Sequence, residues 1–136
     1  MKKFTDLKLL FTVAAIMEFF YFVTCMLPPS IIPSLVGWNL IVDGFWLTKI
    51  LGLSLGTMGY IAWIFRKNPN IGVAKALAFY QIASATADWV MWITFKDEGI
   101  FSDPVAQMTV IAAIVSHYLL GILIILGVKN ARTQNG

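Results

Sequence analysis

Four long apolar stretches alternate with short polar connections: Leu7 to Leu27, Ile41 to Phe65, Ile71 to Phe95 and Val105 to Val128. Each is near the roughly 20 residues an α-helix needs to cross a hydrocarbon core of about 30 Å. They are too long and too continuous for the alternating pattern of a barrel strand, so they read as helices. The pattern predicts an all-α fold, a four-helix transmembrane bundle forming a single integral membrane domain over residues 1–136. The four spans use up most of the chain and leave no room for a soluble domain. No internal repeat is visible.

The connections refine this picture. Lys2 and Lys3 precede the first apolar run in the manner of a secretory signal. That run is too long for a signal core, has no small-x-small cleavage site and carries Glu18 in its middle, so it reads as a retained span. Arg66-Lys67-Asn68-Pro69-Asn70 is a tight turn in which Pro69 ends one helix and opens the next, which predicts that spans two and three pack as an antiparallel hairpin. The connection from Pro28 to Trp38 holds three prolines yet stays apolar through Ile31, Ile32, Leu35 and Val36. It reads first as a proline-stiffened loop, with a lid over the bundle as the alternative.

Composition agrees with membrane insertion: 59% of residues are apolar, 12% are charged and the mean hydropathy is +0.79, against about 25% charged in soluble domains. The basic residues are segregated. Lys2, Lys3 and Lys8 precede span one, Arg66, Lys67 and Lys75 flank the turn between spans two and three, and Lys129 and Arg132 follow span four. The other side has only Lys96, offset by Asp97, Glu98 and Asp103. Both termini are therefore expected in the cytoplasm, in a multi-pass protein of the cytoplasmic (inner) membrane. Trp38, Trp46, Trp89 and Trp92 fall near the outer helix ends, as an interfacial belt would. The net charge of +3 is attributed to topology and anionic membrane lipid as partner, with no nucleic acid.

Against this background four ionisable residues stand out, one in each span: Glu18, Lys49, Asp88 and His117. Each costs about 2.5 to 3.5 kcal/mol at the centre of a membrane helix, which calls for mutual compensation. Counted from the outer ends at about 1.5 Å per residue, Lys49 and Asp88 lie at similar depth and Glu18 and His117 nearer the midplane. Two pairs are expected, Lys49 with Asp88 and Glu18 with His117. Gln81, Ser84 and Asp88 share one helical stripe, and Glu18, Tyr21 and Cys25 share another. The candidate ligand or proton site is thus Glu18, Lys49, Gln81, Ser84, Asp88 and His117. Gly52, Gly56 and Gly121 read as places where helices approach closely, and the single cysteine, Cys25, as a packing residue. No second histidine or ligand pair at i and i+4 accompanies His117, so no metal site is expected. Neither a nucleophile elbow nor a phosphate-binding or dinucleotide loop is present, and a conventional soluble-type enzyme is not supported.

Asp43-Gly44-Phe45-Trp46, followed by Gly52, Gly56, the turn from Arg66 to Pro69, Asp88, Trp92, Gly99, His117 and Gly121, resembles the BphX-like family of small four-helix membrane proteins over residues 41–126. The resemblance implies a four-helix integral membrane protein and carries no catalytic role. Asp43, Asp88 and His117 fall on that pattern, whereas Glu18 and Lys49 do not. Separately, Ala14-Ala15-Ile16-Met17-Glu18 is similar to the membrane-embedded glutamate of small multidrug resistance transporters, although the strong basic bias departs from their dual topology. The expected function is binding of a small amphipathic ligand or a proton at the intramembrane polar cluster. The alternatives are an accessory subunit that contacts other membrane subunits or further copies of itself, and a small proton-coupled transporter.

Overall fold

The computed structural model describes residues 2–95 and 98–133, with Lys2 and Lys3 described by their backbone alone. Lys96 and Asp97, counted above among the outer charges, lie outside the described residues. Each apolar stretch is one long helix: α1 Leu7–Met26, α3 Val42–Phe65, α4 Ile71–Phe95 and α5 Pro104–Thr133. A short α2, Ile32–Val36, and a 3-10 turn, Gly99–Ser102, occupy the connections between α1 and α3 and between α4 and α5. No strand occurs among the described residues. α1, α3 and α5 are long and apolar enough to cross a membrane. α4, interrupted by Lys75, Gln81, Ser84, Thr86 and Asp88, is as long but less apolar.

Local chemistry sets the helix ends. Asp6 Oδ1 accepts the Lys8 N–H at 3.0 Å, Asn70 Oδ1 accepts Gly72 N–H at 2.7 Å, and Asp103 Oδ1 accepts Val105 N–H at 2.8 Å, with Pro104 as the first residue of α5. These side chains satisfy N–H groups that have no partner inside the helix. Pro28 and Pro29 stop α1. α2 ends at Gly37, whose φ of +74° is left-handed; a Cβ there would strike the Asp103 carboxylate and the backbone of α5. Ile32 is buried, so the proline-rich connection is docked by this short helix against the N-terminal end of α5.

The helices do not pack in the order the turn at Arg66 to Asn70 predicts. α3 and α4 touch only sparsely; α3 lies along α1, and α4 lies along α5. A tight turn constrains the helix ends it joins, whereas small-residue faces decide which helices come close along their length. On α3, Thr48, Gly52, Leu55, Gly59 and Ala62 form the buried stripe. A Cβ at Gly52 would sit 2.9 Å from Cys25 Cβ, and one at Gly59 would sit 3.1 Å from Glu18 Cβ. On the other side, Gly121 of α5 meets Gln81 Cβ and Ala78 O of α4. The four long helices then share one apolar core in the half that carries the chain ends, including Leu10, Phe11, Ala14, Ala62, Leu77 and Ile124.

Gly52→Leu is expected to push α3 off α1 and cost about 1–3 kcal/mol as overpacking. The check is the unfolding midpoint in detergent micelles, where Leu53→Ala on the exposed face of α3 should change little.

Candidate functional site

Three of the expected site residues meet in the middle of the bundle. Glu18 of α1 and Gln81 of α4 are each 0% exposed, and His117 of α5 is 4% exposed. Each sits 10 or 11 residues from the end of its apolar segment nearest the chain termini, so the three share a level about 15 to 17 Å deep at 1.5 Å per residue. Gln81 Nε2 donates to Glu18 Oε1 at 2.5 Å, and Gln81 Oε1 is 2.5 Å from His117 Nδ1. With the amide in this orientation, the imidazole carries its proton on Nδ1 and donates it to Gln81. Glu18 Oε1 and His117 Nδ1 are 3.9 Å apart, an ion-pair separation if the histidine is charged. The expected Glu18–His117 pair is therefore close, but its hydrogen bonding runs through Gln81.

A second shell of polar groups extends from this chain toward the end of the bundle that holds α2. Tyr21 stacks on the His117 ring, with centroids 5.5 Å apart at 19°, and Tyr80 meets the same ring edge-on at 6.4 Å. The Tyr21 hydroxyl is 3.2 Å from Ser116 Oγ. Ser116 donates to Ala113 O, so Tyr21 is the donor between the two. Tyr21, Tyr80, Ser84, Asp88 and Ser116 are all half-buried. Glu18 Oε2, in contrast, is buried without a hydrogen-bond partner among the described residues. A buried acceptor left unpaired carries a desolvation cost of about 1–3 kcal/mol, more if charged, so this atom marks where the site has unused capacity.

The Lys49–Asp88 pair does not form. Lys49 Nζ instead donates to Cys25 O at 2.7 Å and to Leu27 O, the carbonyls left open where the prolines stop α1. A cation here satisfies orphan acceptors and meets the negative end of the α1 dipole. Lys49 reaches the end of α1, on which α3 packs, and α3 touches α4 only sparsely, which is why depth alone mispaired it. Asp88 forms no ion pair or side-chain hydrogen bond among the described residues. Ser84 stays on the α4 stripe, beside Tyr80 one turn away.

Gln81 was legible as a member of the stripe but not as the bridge. The missed signal was its depth, which matches that of Glu18 and His117. Ser116 was missed altogether, although its place next to His117 opposite Tyr21 follows once α5 is set antiparallel to α1. Among the described residues, no three His, Cys, Asp or Glu side chains converge as a metal site would require. Neither a family model, nor a curated protein, nor a solved structure matches the chain.

Gln81→Leu removes partners from both Glu18 Oε1 and His117 Nδ1 and is expected to cost about 1–3 kcal/mol for each group stranded. An unchanged unfolding midpoint would show that the bridge contributes nothing. Lys49→Met and Asp88→Asn should be additive within about 0.5 kcal/mol in a double-mutant cycle, since the two side chains share no contact.

Proposed function

We propose that the protein is a four-helix integral membrane protein of the cytoplasmic membrane, both termini in the cytoplasm, that binds a proton at Glu18–Gln81–His117. The observation that carries this reading is Glu18 Oε2, buried without a partner among the described residues, beside an amide-bridged imidazole in the middle of the bundle. Intramembrane ionisable groups are functional by default because their cost selects against them otherwise. α4 joins α1, α3 and α5 as the fourth span: Gln81 is turned into the bundle, while Phe79, Val90 and Ile93 present an apolar exterior. The basic residues near the chain ends and the Arg66–Lys67 turn support the cytoplasmic placement. Membership of the BphX-like family remains part of this proposal, resting on Asp43, Asp88, His117 and the glycines named above.

The chemistry is a single uptake. In the deprotonated state Glu18 Oε1 accepts from Gln81 and Oε2 is free; the incoming proton bonds to Oε2, and the carboxylate becomes neutral while Gln81 and His117 keep their bond. Access is one-sided. Toward the cytoplasm, Phe11, Ala14, Leu77 and Ile124 close the core, whereas toward the outside the path runs past the half-buried Tyr21, Ser116, Ser84 and Asp88. A proton is favoured over an amphipathic ligand because Glu18 and Gln81 are 0% exposed and His117 4% exposed, which leaves them out of reach of a larger molecule.

Infrared spectroscopy of the protein in oriented proteoliposomes tests this. The component of the protonated-carboxyl stretch assigned to Glu18, read as the difference between Asp88→Asn and Asp88→Asn with Glu18→Gln, should grow as the outer medium is acidified. A Glu18 component that follows the lumenal pH, or no difference between the two variants, would sink the proposal.

A further inference from the structure

At the end of the bundle that carries the chain termini, Lys8, Leu9 and Thr12 of α1 and Arg66 and Lys67 after α3 line a shallow cleft, open to the surface, of about 380 Å³. Among the described residues it collects three cations and no carboxylate. The nearest acid in sequence, Asp6, is engaged with the Lys8 backbone as the α1 cap. The Arg66 guanidinium is held in place: it lies 3.4 Å over the Trp63 ring, and Nη1 donates to Trp63 O at 2.5 Å. Cation–π contact and that hydrogen bond fix one face of the guanidinium and leave its remaining N–H donors for another acceptor. Leu9 lines the cleft, Trp63 lies under its Arg66, and both are exposed together with Tyr60 one turn further along α3, which leaves an apolar flank beside it.

From this arrangement we infer that the cleft is a binding site for the phosphate of an anionic phospholipid, with an acyl chain laid along the exposed flank of α1 and α3. A guanidinium matches phosphate oxygens in a bidentate manner, and two lysines add point charges around it. Free phosphate has the same headgroup chemistry; the apolar continuation at Leu9, Tyr60 and Trp63 is what favours the lipid. The site is separate from Glu18–Gln81–His117 and does not depend on the proton reading.

Native mass spectrometry of the detergent-purified chain, with phosphatidylglycerol, phosphatidylcholine or inorganic phosphate added, tests the inference. Phosphatidylglycerol should be retained as a single adduct and phosphatidylcholine should not. Lys8→Gln, Arg66→Gln and Lys67→Gln should each weaken retention about fivefold. Lys75→Gln with Lys129→Gln, which removes charge elsewhere on the same side, should leave it unchanged. Lys67→Gln alone, on an exposed side chain, keeps the test valid if the Arg66 variant fails to fold. Equal retention of both lipids, equal loss in the distant double variant, or displacement of the adduct by inorganic phosphate would each overturn the lipid site.

Discussion

A carboxylate, an amide and an imidazole on three different helices can be buried together only because each finds a partner in the next. Glu18, Gln81 and His117 do this at 2.5 Å on either side of the amide, and the register of α1, α4 and α5 follows from it. In a low-dielectric interior an unpaired member of such a chain is costly, so slipping any of the three helices by a turn would strand two polar groups at once. The apolar core on the terminal side tolerates more variation, because dispersion contacts among leucine and alanine are not directional.

The rest of the packing follows from where the chain allows backbones to approach. α3 presents Gly52, Gly56 and Gly59 to α1, and α5 presents Gly121 to α4. Between apolar helices in lipid there is little hydrophobic drive to associate, and close van der Waals fit takes its place. The result is two antiparallel pairs, α1 with α3 and α4 with α5, joined where α1 meets α5 and by the Gln81 bridge. Lys49 belongs to this logic. Its charge is compensated by the carbonyl end of α1, which the two prolines leave open at the point where α3 passes.

The two ends of the bundle thereby acquire different chemistry. One is closed by apolar side chains and fringed by cations on the surface. The other has half-buried tyrosine, serine and aspartate between the helices, with α2 docked at its rim. That asymmetry gives the two sides of Glu18–Gln81–His117 different surroundings, and it arises from residue placement alone.

Much of this was legible in the linear pattern. The four apolar stretches coincide with the four long helices because apolar runs of that length have few other ways to satisfy their backbone, and Asp6, Asn70 and Asp103 stand where caps are needed. Glu18 and His117 could be matched by depth, since rise per residue is constant. Which helix faces which could not be read, because an apolar face looks the same whether it meets lipid or protein. Thus the turn at Pro69 pointed to an α3–α4 hairpin, and equal depth pointed to a Lys49–Asp88 pair, while the glycine faces put α3 on α1 and left Asp88 without an ion pair among the described residues. The sequence by itself determined the helices, their ends and the level of the buried polar groups, all set by local spacing. Only the tertiary structure decided the helix partners, and with them the Gln81 bridge and the Lys49 cap, because those depend on how side chains from distant segments fit together.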